Sequence, residues 1–209
     1  MTLAAGIDVG GPSKGFHAVA LRDGEYFGKF HSTDTAGMSA WVQRTGALAV
    51  GVDAPCRWRT GGRMRAAERG LANLGIRCFA TPCQETAESH PFYAWMRNGR
   101  SLYESLSGRY PLLDGSVAPA EAAEGVCFET YPQAIACVLA GRLLSARNKR
   151  SDRRGLLEAA GIRTGALGSL DLIDAALCAV AAHRYLLGDY SMLGDPAEGF
   201  IVLPGACGP

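Results

Sequence analysis

Asp171 and Asp174 stand three residues apart inside an apolar run, with Leu172, Ile173 and the stretch from Ala175 to Val180 around them. On a helix, positions i and i+3 share one face at roughly 5–6 Å. Two carboxylates so placed repel each other, and burying either without compensation costs several kcal/mol. The pair is therefore expected to be solvated at a cleft, protonated, or neutralised by a metal ion.

Three further acids share one circumstance. Asp8, Asp53 and Glu129 each sit at or near the C-terminal end of an apolar run that reads as a strand. In open α/β sheets ligands gather outside the carboxyl ends of the strands. If those strands are parallel neighbours, Asp8, Asp53 and Glu129 converge with Asp171 and Asp174 in one cleft. Hard oxygen ligands select Mg²⁺ or Mn²⁺, and such a cluster suits two-metal hydrolysis of a phosphodiester, with ions about 3.5–4 Å apart. Each acid also has a structural alternative. Asp171 can favour the helix dipole with Ser169 as cap, Asp8 and Asp53 can bond their own turns, and Glu129 can pair with an arginine of a neighbouring helix.

Basic residues flank these acids. Arg57, Arg59, Arg63, Arg65 and Arg69 follow the Asp53 segment, and Arg147, Lys149, Arg150, Arg153 and Arg154 form a second basic stretch. Arg57, Arg59, Arg63 and Lys149 are the candidates for holding substrate phosphates; solvating a helix is the plain alternative. His90, beside Phe92, Tyr93 and Trp95, is a candidate base-stacking contact or part of an apolar cluster. His17, His31, His90 and His183 do not fall at metal-ligand spacing, and none is expected to be a ligand. The seven cysteines are scattered without a C-x-x-C pair, as suits reduced, buried thiols.

The elements that must position these groups read as follows. Ala4 to Asp8 is a buried strand; Phe16 to Arg22 and Tyr26 to His31 flank Asp23-Gly24, a hairpin signal. A short helix over Ser39–Thr45 precedes a strand over Ala47–Val52. A helix over Gly62–Asn73 ends at Gly75, and Ile76–Ala80 can form a short strand. Val126–Thr130 is a strand, followed by a helix with Pro132 in its first turn and continuing over Gln133–Leu144, by helices over Asp152–Ala160 and about Leu170–Leu187, and by a tail strand at Phe200–Leu203. The expectation is one domain over residues 1–209, with a partly helical insertion at about 84–123. A net charge of +1 excludes a global basic field, and no run of about 18 uncharged apolar residues or basic leader occurs, so a cytoplasmic location is expected.

The motifs GIDVG, VGVDAPC, FETYPQA, DLIDAALCAVAA and GDPAEGFIVLP together resemble the domain of unknown function 429 family, and more broadly the RNase H-like nuclease superfamily. That resemblance implies an α/β fold with a mixed five-stranded sheet, an antiparallel three-strand meander plus parallel strands, flanked by helices. It also implies a metal-dependent nuclease using Mg²⁺ or Mn²⁺ on DNA or RNA. Asp8, Asp53, Glu129 and Asp174 fall on family motif positions, with Asp171 beside them. Two other classes stay open. One is an RNase H-like module that binds nucleic acid or protein without catalysis. The other is an actin- or sugar-kinase-like phosphotransferase, in which Gly10, Gly11, Ser13 and Lys14 would receive phosphate.

Overall fold

The computed structural model describes residues 1–115 and 125–205, so the end of the expected insertion, 116–123, and Cys207 lie outside the described residues. Leu3–Val9 (β1) is buried on both faces, as its unbroken apolar character requires. Phe16–Arg22 (β2) and Glu25–Ser32 (β3) complete an antiparallel meander. Its second turn places Asp23 and Gly24 at φ 48° and 85°, the positive-φ pair that a two-residue hairpin needs. Ala49–Asp53 (β4), Val126–Glu129 (β5) and Gly199–Pro204 (β7) continue the sheet in parallel with β1, and Tyr190–Asp195 (β6) closes it antiparallel to β7. The order is β3-β2-β1-β4-β5-β7-β6.

Seven strands form the sheet where five were expected. The tail strand joins beside β5 as β7. The edge strand β6 was hidden because its residues are only half-buried or exposed, leaving no apolar run to detect. Ile76–Ala80 forms no strand. Both sides of β5 are taken by β4 and β7, so that run finds no place beside it.

Among the helices, Thr35–Thr45 (α1) starts before the expected Ser39 because Asp34 caps it, accepting from the Gly37 amide at 2.6 Å. Ala66–Asn73 (α2) starts later than Gly62. Gln84–Ser89 (α3) and Ala94–Leu106 (α4) supply the helical part of the 84–115 segment. Pro132–Ala140 (α5) stops short of Leu144 because Gly141, at φ 62°, turns the chain left-handed. Lys149–Ala159 (α6) begins three residues before Asp152, and Leu170–Leu186 (α7) matches its expected span closely.

The helices cover both faces of the sheet. One face packs against α5, α6 and α7, with Val19, Leu21 and Ile201 in that core. The other holds Ile7, Val50 and Val52 beneath residues of α1 and α4. Leu102, Tyr103 and Leu106 of α4 belong to that second core, so this segment is built into the sheet's cover. No described helix is long and apolar enough to cross a membrane.

Two glycines decide how closely α7 approaches. Gly6 of β1 and Gly51 of β4 are direct register partners on the face beneath α7. A Cβ on Gly6 would lie 2.0 Å from the Ala179 nitrogen and 2.2 Å from the Ala175 oxygen; on Gly51 it would lie 2.6 Å from the Cys178 oxygen. The helix backbone therefore rests directly on the strands. Alanines at 175, 176, 179, 181 and 182 keep the rest of the interface thin.

Candidate metal centre

Side chains alternate along a strand, so Asp8 shares the face of Gly6 and Asp53 that of Gly51. The two acids are register partners at the carboxyl ends of β1 and β4. Because the glycines draw α7 down, its first turns bring Asp171 and Asp174 over them. Ser169 caps this helix by accepting from the Leu172 amide at 3.2 Å.

The resulting cluster is electrostatically strained. Burial pushes the Asp8 carboxyl up to about 7, with Asp174 and Asp171 adding to the rise while Lys14 and Arg153 oppose it. Asp53 is held well above the usual carboxylate range by burial, then by the fields of Asp8 and Asp174. Burial likewise raises Asp174, against the pull of Arg153, which donates to its Oδ1 and, at 2.8 Å, to Gln133. Lys14 donates to Asp171 at 2.7 Å and stands 3.9 Å from Asp8. Asp8 itself is 7% exposed, and its Oδ2 has no hydrogen-bond partner among the described residues. An orphaned carboxylate oxygen of this kind fits a cation ligand.

A histidine joins the acids. His17 is the antiparallel partner of Asp8, and ligand atoms of Asp8, His17 and Asp171 all lie within 4.8 Å of one another. Burial lowers the His17 pKa, which keeps the imidazole in the neutral form that can ligate, and its Nδ1 has no hydrogen-bond partner among the described residues. His31 packs against it with ring centroids 4.5 Å apart.

Among known protein families, the model described as protein of unknown function (DUF429) matches residues 6–198. The chain belongs to that family. No curated protein and no solved structure matches it.

In this DUF429 protein the five acids divide between the two faces of the sheet, while Asp53 and Glu129 both line one cleft at the strand ends. Asp8, Asp53, Asp171 and Asp174 come together beneath α7. Glu129 does not join them, because it is register partner to Val52 and so projects to the opposite face from Asp53. There it meets Arg65, which is 1% exposed and grips both carboxylate oxygens at 2.5 and 2.7 Å. Glu68 takes the Arg65 Nε at 3.0 Å, and the amides of Cys56 and Thr81 donate to Glu129 and Glu68 at 2.9 Å each. This pairing is the alternative that the sequence left open for Glu129, and its effect is to tie β5, α2 and the chain after Asp53 together. Arg65→Met leaves two buried carboxylates without their cation. It is expected to cost about 3–5 kcal/mol in a urea titration, and Arg65→Met with Glu129→Gln should recover part of that loss.

The expected phosphate contacts also separate. Lys149, at the start of α6, is close enough to lower the pKa of Asp174. Arg59 donates to the carbonyl of Gly62, Arg57 lies beside Gly199, and Arg63 is exposed. The aromatic signal sharpens. Phe79, 69% exposed, and Phe92, 49% exposed, meet edge to face at 5.6 Å, and His90 and Tyr93 complete the ring cluster. Phe79 and Trp95 line one cleft with Asp53 and Tyr131.

Sequence reasoning missed His17 and Lys14 as members of the site. Both were legible from the first hairpin. The Gly10–Gly15 backbone bond at 2.8 Å fixes a register in which residue 8 faces residue 17.

Proposed function

We propose that this protein is a metal-dependent phosphodiester hydrolase acting on nucleic acid, with an RNase H-like core. The observation that carries the reading is the convergence of Asp8, Asp53, Asp171 and Asp174 on one sheet face, with an orphaned oxygen on Asp8. Five strands in the order β3-β2-β1-β4-β5, an antiparallel meander followed by parallel neighbours, support the RNase H-like part.

Asp8, Asp53 and Asp174 would hold a Mg²⁺ or Mn²⁺ ion, their oxygens being the hard donors that such ions prefer. A divalent ion bound there supplies a lowered pKa for water and a counter-charge for the leaving oxygen. Arg153 restrains the Asp174 carboxylate, while Lys149 adds positive potential beside it for an entering phosphate. The Gly-rich hairpin turns Lys14 onto Asp171, an arrangement that favours a cation site over a phosphate cradle.

The test is hydrolysis of single-stranded, duplex and branched DNA and RNA with Mn²⁺, comparing wild type with Asp8→Asn and Asp174→Asn. Equal rates in all three proteins would refute hydrolysis at this site. The exposed Phe79 and Phe92 rings are suited to stack on unpaired bases, each worth about 1–3 kcal/mol. Phe79→Ala with Phe92→Ala is therefore expected to weaken single-strand binding about tenfold or more in fluorescence anisotropy, and duplex binding far less.

A further inference from the structure

The acidic cluster brings cations of its own. Lys14 is hydrogen-bonded to Asp171 and Arg153 to Asp174, whereas no described cationic side chain hydrogen-bonds Asp8 or Asp53. Four carboxylates against the two cationic side chains hydrogen-bonded to them leave two carboxylates without such a partner, a number that one divalent ion balances.

The position of Lys14 is built into the hairpin. A Cβ on Gly10 would lie 2.7–2.8 Å from the Lys14 stem, so the bare α-carbon of Gly10 is what lets that stem cross the strand end. The ammonium arrives 2.7 Å from Asp171 and 3.9 Å from Asp8, among the ligand atoms of Asp8, His17 and Asp171. The Asp8 oxygen that faces the ammonium is the buried Oδ2, which at 3.9 Å lies beyond hydrogen-bond reach and is without a hydrogen-bond partner among the described residues. A cluster with one position already held by an ammonium and one buried oxygen free is set up for a single further cation.

We propose that the site takes one divalent cation, held by Asp8 and Asp53 with Asp174, and that the Lys14 ammonium fills the second cation position against Asp171. This departs from the two-metal expectation of the sequence, and it rests on the hydrolase reading only in taking the cluster for a cation site. Removing Lys14 frees a carboxylate–imidazole set at Asp8, His17 and Asp171, which suits Mn²⁺ better than Mg²⁺. Lys14 is half exposed, so its loss leaves the core intact.

The experiment is Mn²⁺ titration of the full chain, with free ion followed by electron paramagnetic resonance, for wild type, Lys14→Met and Gly10→Ala. Wild type is expected to bind one ion and Lys14→Met two. Gly10→Ala keeps the lysine charge but displaces its stem, and is expected to follow Lys14→Met. Two ions in wild type, none up to about 10 mM, or one in Lys14→Met would each overturn the proposal. One ion in wild type and two in Lys14→Met, with no nucleic-acid hydrolysis by any protein, would sink the hydrolase reading and leave this one standing.

Discussion

Asp8→Asn is expected to raise the stability of the metal-free protein at pH 8 while removing its proposed hydrolytic activity. The folded Asp8 carboxyl sits at about 7 against an ordinary value of 3.8, because burial and neighbouring carboxylates disfavour its charge. A raised carboxyl pKa contributes stability that is fully present below 3.8 and is lost as the pH climbs through about 7. The loss corresponds to at most about 4 kcal/mol, since one pKa unit is about 1.36 kcal/mol. Asparagine removes the charge but brings an amide that must find partners, so the net gain expected is about 1–3 kcal/mol, or roughly 3–10 °C in Tm. The difference should vanish near pH 4. With saturating Mn²⁺ it should reverse, because binding stabilises only the protein that has the ligand. Hydrolysis should fall on the order of a thousandfold, equivalent to about 4 kcal/mol of transition-state stabilisation. Thermal melts in EDTA at pH 4 and pH 8 check the first half; a lower Tm for Asp8→Asn at pH 8 would remove Asp8 from any strained cluster.

Gly6→Ala is expected to damage the fold more than most core substitutions. The added methyl would meet backbone atoms of Ala179 and Ala175, which cannot swing aside as a side chain can. The helix α7 must lift, and with it Asp171 and Asp174. A loss above about 3 kcal/mol is expected from overpacking of this kind, read as a lower urea midpoint with little change in slope. Any fraction that folds should bind Mn²⁺ poorly, since two of the four acids would have moved off the strands. Gly51→Ala, with a longer closest approach of 2.6 Å, should show the same pair of effects in weaker form. Wild-type metal binding in a folded Gly6→Ala protein would contradict the dependence of the site on the close approach of α7.

Much of the site was legible because apolar runs ending in aspartate announce strands with an acid at the tip, and β1 and β4 are such runs. The meander was legible from Asp23-Gly24, whose backbone needs are specific. The face on which Glu129 emerges was not. Two parallel strands joined through a long connection carry no local mark of their register, and a shift of one residue exchanges the faces. Arg65 was equally opaque, since an arginine that will be fully buried has the same letters around it as one that solvates a helix. His17 was hidden for a different reason: metal-ligand spacing was sought along the chain, whereas the Asp8–His17 pairing runs across a hairpin. The edge strand β6 escaped because half-exposed residues follow no apolar period.

The Lys14–Asp171 contact joins positions 157 residues apart in the chain. Loops of that length close late, after local helices and hairpins have formed, and domains dominated by such contacts fold slowly. On a ribosome the meander would emerge and pair long before α7 was synthesised, leaving one sheet face uncovered and its acids dispersed in water. Divalent-ion capture should therefore be among the last properties a nascent molecule acquires.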